Sequence, residues 1–150
     1  MPFNQYKKEH SRKKATGAKG FRDLEKILDR LFSEFIRLRD ADAQGYVQCI
    51  TCGAIYFWKD IDCGHYISRA RQATRYDPMN SHCQCKKCNR FRGGEHDIYE
   101  ERLVEKYGEE SVKELKQKAK LGGNYDTYLL QQMINEYREK VKQLKLVKRL

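Results

Sequence analysis

Two C-x-x-C pairs constrain the fold of this chain more than any other feature of its sequence. They are Cys49-Ile-Thr-Cys52 and Cys85-Lys-Lys-Cys88, and each pair can present two thiolates to one tetrahedral zinc ion. A redox dithiol and disulfides are the alternative interpretations. Two pairs in one small chain disfavour the first, and a reducing compartment would disfavour the second. We therefore predict a structural Zn²⁺ bound by all four cysteines, with no position open for a substrate.

The remaining cysteines, Cys63 and Cys83, are interpreted as buried or partly exposed thiols. Because Cys83 stands two residues before Cys85, a zinc site that uses Cys83 in place of Cys85 is the alternative. A zinc ion with four thiolate ligands does no chemistry on a substrate, so catalysis would need other residues.

The N-terminal sequence MPFNQYKKEH has no apolar signal segment, and no stretch of the chain approaches the ~20 apolar residues of a membrane span. We therefore expect a cytoplasmic protein without a membrane partner, in which cysteines bind metal rather than form disulfides. The chain has 150 residues, of which 39% are hydrophobic. This size predicts one compact domain with a modest core that a metal ion would staple.

The pattern of apolar residues predicts helices at both ends of the folded part and short strands between them. Residues 21–40 have apolar side chains at spacings of three and four, the period of an amphipathic helix. Aromatic and β-branched runs interrupted by Gly53 and Gly64 predict short strands between Tyr46 and Tyr66. Further helices are predicted over 97–107, closed by Gly108, over 109–119, and from about Asp126.

Both terminal segments have two interpretations. Residues 1–20 are strongly basic and contain almost nothing that could be buried, which predicts a flexible arm that follows a DNA backbone or simply stays solvated. The last helix has an apolar stripe from Tyr128 to Leu144. Such a stripe packs on its own domain or, on a long terminal helix, forms a homodimer.

The charge of the chain indicates nucleic acid as a partner. Lys and Arg number 31 against 21 Asp and Glu, for a formal net charge of +10. Between His65 and Arg92 the only acid is Asp77, so the bases there are predicted to neutralise DNA phosphates, with a solvated loop as the alternative. These bases are Arg69, Arg71, Arg75, Lys86, Lys87, Arg90 and Arg92. The aromatic residues expected to pack on sugars or opened bases are Tyr66, Tyr76 and Phe91.

Polar residues in a recognisable order surround the second cysteine pair. A Gly-His sequence ends at His65, Asn80 stands five residues before Cys85, and Asn89 directly follows Cys88. This order resembles the HNH, or ββα-metal, nuclease superfamily. The resemblance implies an α+β fold with a zinc-stabilised, treble-clef-like ββα-metal centre. One nuclease domain is then expected over 21–150, with an N-terminal helix at 21–40, the zinc and HNH centre at 46–94 and a helical C-terminal part at 97–150.

The same resemblance implies roles for individual residues. His65 would be the general base that deprotonates water, and Asn80 would orient its imidazole through a hydrogen bond. Asn89 would bind a catalytic Mg²⁺ or Mn²⁺ from the start of a short helix after Cys88, because an amide oxygen suits these hard cations.

One position departs from the superfamily pattern and one adds to it. Many members have an aspartate metal ligand directly before the base, where this chain has Gly64. Asp62, two residues before Gly64 on a regular strand, is predicted to supply that carboxylate through a slight twist or bulge.

His82 is predicted to contact phosphate or to support the metal ligands by a hydrogen bond. A histidine satisfied near the zinc cysteines is the alternative.

The resemblance extends to the NinG, or Rap, family of phage recombination endonucleases. It runs from Phe35 through both cysteine pairs to Asn89 and, more faintly, over 106–113, and covers around half of the chain. Membership implies a phage or prophage origin, the cytoplasm of a bacterial host and a recombinase partner. It also implies structure-specific cutting of branched recombination intermediates such as Holliday junctions and D-loops.

We therefore expect a metal-dependent, structure-specific DNA endonuclease that hydrolyses phosphodiester bonds. Nothing in the sequence resembles a recognition helix aimed at base edges, so junction selectivity is predicted rather than a sequence motif. A sequence-specific HNH nuclease of the restriction or homing type is one alternative. The other is a non-catalytic zinc-finger adaptor that binds DNA, which would account for the cysteines and the charge but not for the placement of His65, Asn80 and Asn89.

Overall fold

A computed structural model of the chain describes residues 20–150, which adopt a mixed α+β fold. The α-helices in this range are α1 Phe21–Asp40, α2 Gln72–Arg75, α3 His96–Tyr107, α4 Glu109–Lys118 and α5 Thr127–Lys148. The strands are β1 Tyr46–Gln48, β2 Ile55–Phe57, β3 Asp62–His65 and β4 Ser81–Gln84. A 3₁₀ turn, Pro78–Asn80, precedes β4, and a π-helical turn, Lys87–Phe91, follows it. Apart from Gly20, the predicted basic arm lies outside the described residues.

Helices α1 and α5 pack against each other and form one core. Four of the five buried side chains of α1 recur at every fourth position, which places them on one face of the helix: Leu24, Leu28, Phe32 and Ile36. Phe32 meets Tyr137 of α5 edge to face, with ring centroids 5.3 Å apart. The helix predicted over 21–40 is confirmed. Most of the apolar stripe of α5 packs on its own chain, but Tyr128 and Leu129 are 70% and 38% exposed. A homodimer through this helix stays a prediction.

The predicted helix boundaries agree with the structure within about one residue. Helix α3 ends at Tyr107, and Gly108 follows it with a positive φ of 88°, a conformation that glycine adopts without strain. Helix α5 begins after Asp126, whose side chain accepts a hydrogen bond of 2.7 Å from the amide of Leu129. This is an N-cap. No helix within residues 20–150 is long and apolar enough to cross a membrane.

The strands form two separate antiparallel hairpins, β1 with β2 and β3 with β4. The short strands predicted between Tyr46 and Tyr66 are confirmed. Strand β4 was not predicted, because all four of its side chains are buried and its sequence, Ser-His-Cys-Gln, has no alternation of apolar and polar residues. In β3–β4 the paired residues include Gly64 opposite His82 and His65 opposite Ser81.

Gly64 is packed so tightly against Gln84 that no larger residue fits. A Cβ atom at this position would lie 2.5 Å from Oε1 and 2.8 Å from Cβ of Gln84, closer than van der Waals contact allows. The backbone carbonyl of Gly64 also accepts a hydrogen bond of 2.8 Å from the Tyr99 hydroxyl. An aspartate directly before His65 would therefore clash with Gln84 in this arrangement of β3 and β4.

Replacing Gly64 by alanine should lower the free energy of unfolding by about 1–3 kcal/mol, because it overpacks the β3–β4 hairpin. Gly122→Ala is the matched control, since a Cβ there would meet nothing within 4 Å. Urea denaturation of both variants measures the effect. Equal stabilities for the two variants would show that the hairpin accommodates the extra methyl group.

Candidate metal centre and catalytic cleft

The four cysteines of the C-x-x-C pairs converge on one point. Their sulfur atoms all lie within 4.8 Å of one another, and those of Cys52 and Cys85 are 3.8 Å apart. Zn–S bonds of ~2.3 Å in a tetrahedral site place sulfur atoms at about this separation. The four cysteines could therefore hold a metal ion such as zinc, and the predicted ligand set is brought together.

Backbone amides around the cluster favour thiolates. The amide of Cys85 donates to Sγ of Cys49 over 3.2 Å, and the amide of Cys88 donates to Sγ of Cys85 over 3.5 Å. Burial acts to raise the pKa of Cys49, but hydrogen bonds from the backbone lower it to about 6. Burial raises the pKa of Cys88 to about 12, so a bound cation would displace that proton.

Cys63 and Cys83 lie outside this cluster, opposite each other on β3 and β4. Burial raises the pKa of Cys63 to about 12 and that of Cys83 further still. Cys83 is buried and Cys63 is partly exposed, as the sequence indicated, and their raised pKa values disfavour the reactive thiolate. The alternative site with Cys83 in place of Cys85 is wrong.

A cleft of about 580 Å³ brings three of the predicted site residues together. Asp62 and His65 reach it from β3, and Asn89 reaches it from the π-helical turn. The sequence predicted Asn89 at the start of a short helix after Cys88. In the structure the helical turn already includes Cys88, so Asn89 lies in the middle of the turn. Helix α1 closes the other side of the cleft with Asp29 and Ser33.

Asp29 and Ser33 were missed by sequence reasoning. On α1 they belong to an ordinary amphipathic helix, and no local pattern marks them as site residues. The signal that could have found Asp29 is its spacing from Glu25, which puts two acids on one face of the helix.

The imidazole of His65 is held in one tautomer. Its Nε2 lies 2.9 Å from the backbone carbonyl oxygen of Arg75. Because a carbonyl oxygen can only accept, Nε2 carries the proton of the neutral ring and Nδ1 carries the lone pair. Burial lowers the pKa of His65 below its usual value. The ring is therefore neutral at pH 7, with Nδ1 able to take a proton.

Asn80 does not contact this imidazole, so the predicted hydrogen bond between them is wrong. The side chain is fully buried, and its Oδ1 accepts from the amide of Ile67 over 2.8 Å. Its Nδ2 donates to the carbonyls of Ile67 and Thr74, both over 3.0 Å. Asn80 thus fixes the loop that carries the Arg75 carbonyl. It acts on His65 through the backbone because a buried amide must satisfy its own donors and acceptors first.

Asp62 and Asn89 form an oxygen-rich pair in the cleft. Nδ2 of Asn89 donates to Asp62 over 3.0 Å, which leaves the amide oxygen free. Arg90 also donates to both carboxylate oxygens of Asp62, over 2.7 and 2.8 Å. Burial acts to raise the pKa of Asp62, but the bonds from Arg90 and Asn89 hold it below its usual value. The Arg90 side chain is 60% exposed.

Arg75 is an internal anchor and not a DNA contact. Its guanidinium donates two hydrogen bonds to Asp29, over 3.1 and 2.7 Å, and one to Glu25 over 3.0 Å. Only 14% of the side chain is exposed. The predicted DNA-binding role of Arg75 is therefore wrong, because two carboxylates of α1 already neutralise its guanidinium group. Its side chain instead ties this part of the loop to α1, and its own backbone carbonyl accepts the hydrogen bond from His65.

The other predicted DNA-binding bases are exposed: Arg69, Arg71, Lys86, Lys87, Arg90 and Arg92. Arg92 pairs with Glu95 over 3.3 Å. The predicted role of Tyr66 and Tyr76 in contacting sugars or bases is wrong, because both rings are buried in the protein core. Phe91 is 84% exposed.

His82 lies away from this cleft, so the predicted phosphate contact is wrong. It lines a larger cleft of about 1070 Å³ behind β4, which contains none of Asp62, His65 and Asn89. The ring is buried between two tyrosines, with Nε2 2.7 Å from the Tyr107 hydroxyl and Nδ1 3.4 Å from that of Tyr99. Burial lowers its pKa to about 3. The alternative interpretation, a histidine satisfied near the zinc cysteines, agrees with these two contacts.

Comparison with known proteins gives a consistent result. The model of a family described as Bacteriophage Lambda NinG protein matches residues 3–147. Protein ninG of Salmonella phage P22 is 33% identical over 114 residues, 74% of this chain and 52% of the relative. Protein ninG of Escherichia phage 933W is 37% identical, and that of Escherichia phage lambda 36%, each over 84 residues, 54% of this chain and 38% of the relative. No solved structure matches significantly.

The chain thus spans about half, or less, of the length of the curated relatives it matches. The family match nevertheless includes both cysteine pairs and every residue of the cleft. This chain belongs to the NinG family of bacteriophage proteins.

Proposed function

We propose that this chain is a metal-dependent endonuclease that hydrolyses phosphodiester bonds in branched DNA recombination intermediates, such as Holliday junctions and D-loops. The observation that carries the proposal is the cleft in which Asp62, Asn89 and a tautomer-locked His65 meet. The order of β3, β4 and the π-helical turn agrees with a ββα-metal centre of the HNH type. In the host cell, we expect the bacterial cytoplasm and a recombinase partner.

The donor set of the cleft fits Mg²⁺ or Mn²⁺, which prefer carboxylate and amide oxygens to sulfur. Asp62 and Asn89 would hold the cation, which would polarise the scissile phosphate and stabilise the leaving oxygen. Nδ1 of His65 would take the proton of the attacking water. Two observations support this role of His65. Burial lowers its pKa, which favours the neutral ring, and Nε2 donates to the Arg75 carbonyl, which leaves Nδ1 to accept a proton.

The exposed bases near the cleft would bind the DNA backbone. Lys86, Lys87 and Arg90 lie on or next to the π-helical turn, and Arg69 lines the cleft itself. Such contacts neutralise phosphates without reading bases. Binding should therefore depend strongly on salt.

The proposed zinc centre is structural. Purified protein should contain one zinc per chain, and Cys85→Ser should lose it, because a tetrahedral site needs all four ligands. Cys83→Ser is the matched control, since this buried thiol lies outside the cluster. Zinc content by elemental analysis, with thiolate absorption after Co²⁺ exchange, makes the comparison. Loss of metal from the Cys83 variant alone would contradict the assignment.

His65→Ala should reduce cleavage of a labelled four-way junction by about 10²–10⁴-fold, the contribution of a general base. DNA binding and zinc content should not change. Gln131→Ala is a control on an exposed side chain of α5 outside the cleft and should keep near-native activity. Linear duplex and D-loop substrates, with Mg²⁺ or Mn²⁺, are tested in parallel. If native protein binds DNA but cuts none of these substrates with either metal, the adaptor interpretation replaces the nuclease.

Arg75→Lys should loosen the support of His65, because lysine cannot make the paired hydrogen bonds to Asp29. We expect about a tenfold loss of cleavage rate, the scale of a modest misplacement in an active site, with DNA binding unchanged. Nitrogen chemical shifts of the His65 ring should change from one tautomer to a mixture. Arg138→Lys, on an exposed side chain of α5, is the control. A single unchanged tautomer together with an unchanged rate would contradict this role.

A further inference from the structure

Phe91 is exposed to a degree that its environment does not explain. The side chain is 84% exposed, more than any other large hydrophobic side chain in residues 20–150. A phenylalanine side chain gains stability by leaving water. Residues 20–150 form three hydrophobic cores, and Phe91 belongs to none of them.

Backbone hydrogen bonds hold the turn around Phe91, so the exposure of this side chain does not come from an unstructured segment. The amide of Asn89 donates to the carbonyl of Cys85 over 2.8 Å, and the amide of Arg92 donates to Lys87 over 3.0 Å. The amide of Gly94 donates to the carbonyl of Cys88 over 2.9 Å. Two of these three acceptors belong to the cysteine cluster. The turn therefore projects the Phe91 ring into solvent at a fixed position.

That position is next to the cleft. Phe91 follows Asn89 by two residues and Arg90 by one, and Arg90 binds Asp62 inside the cleft. The charged residues on this segment are all basic up to Gly94: Lys86, Lys87, Arg90 and Arg92. An aromatic ring surrounded by bases suits a ligand that has both phosphates and flat apolar faces, as a nucleic acid does. A protein interface would instead be depleted of lysine at its centre.

We propose that the Phe91 ring stacks on the exposed face of a base at the branch point of DNA and thereby gives the chain its preference for branched over linear substrates. The inference rests on the proposed function, for which it names the structural feature that is recognised. In continuous duplex both faces of each base are covered by its neighbours. At a branch the stack is interrupted and a base face is open to an aromatic side chain.

Equilibrium binding without added Mg²⁺, Mn²⁺ or Ca²⁺ tests this without relying on cleavage, because the arms of a four-way junction then stay unstacked at the branch. A four-way junction and a linear duplex of the same sequence are titrated with native protein, Phe91→Ala and Phe91→Trp. Phe91→Ala should weaken junction binding about 5- to 100-fold, the range for loss of one stacked base, and duplex binding less than about twofold. Phe91→Trp should bind as native protein does. Val147→Ala is the control, because Val147 is 79% exposed on α5.

A fluorescent base analogue, 2-aminopurine, at the branch point provides the direct readout. Native protein and Phe91→Trp should quench it by stacking, and Phe91→Ala should not. Equal weakening of junction and duplex binding, or native-like quenching by Phe91→Ala, would overturn the inference while leaving the nuclease proposal in place. A protein that binds the junction through Phe91 but never cuts DNA would overturn the nuclease proposal alone. An absence of DNA binding would overturn both.

Discussion

The convergence of four cysteine sulfurs is the constraint on which the rest of the structure depends. The hairpins β1–β2 and β3–β4 have strands of only three or four residues, and isolated hairpins of this size are barely stable. The cluster joins the end of β1, the end of β4 and the π-helical turn at one point. It thereby fixes where Asn89 enters the cleft and where Phe91 is exposed to solvent.

A second constraint comes from α1 and reaches the cleft through ion pairs. Glu25 and Asp29 accept hydrogen bonds from the side chain of Arg75. The backbone carbonyl of Arg75 in turn accepts a hydrogen bond from Nε2 of His65. The first helix therefore serves both as half of the core with α5 and as a support for the imidazole. Asn80 adds to this support, because its side chain donates hydrogen bonds to the carbonyls of Ile67 and Thr74 and so holds the segment that precedes Arg75.

Much of this could be predicted from local sequence, and the exceptions share one cause. Helix periods, the Asp126 cap, Gly108 and the cysteine pairs are patterns within a few residues, and all agree with the structure. The cleft residues Asp62, His65 and Asn89 came from spacing and resemblance, and the structure brings them together. Arg75 was misassigned because its partners are 46 and 50 residues away, and no composition rule separates a paired base from a free one. Strand β4 was missed because burial on both faces removes the alternation that marks a strand.

Paramagnetic Mn²⁺ tests most directly whether the cleft is a metal-dependent active site. In zinc-loaded protein, Mn²⁺ bound by Asp62 and Asn89 should broaden the imidazole resonances of His65 and leave those of His82, in the other cleft, nearly sharp. Asp62→Asn should remove the effect at His65. Equal broadening of both histidines, or selective broadening that persists in the Asp62 variant, would contradict a catalytic metal site at this position.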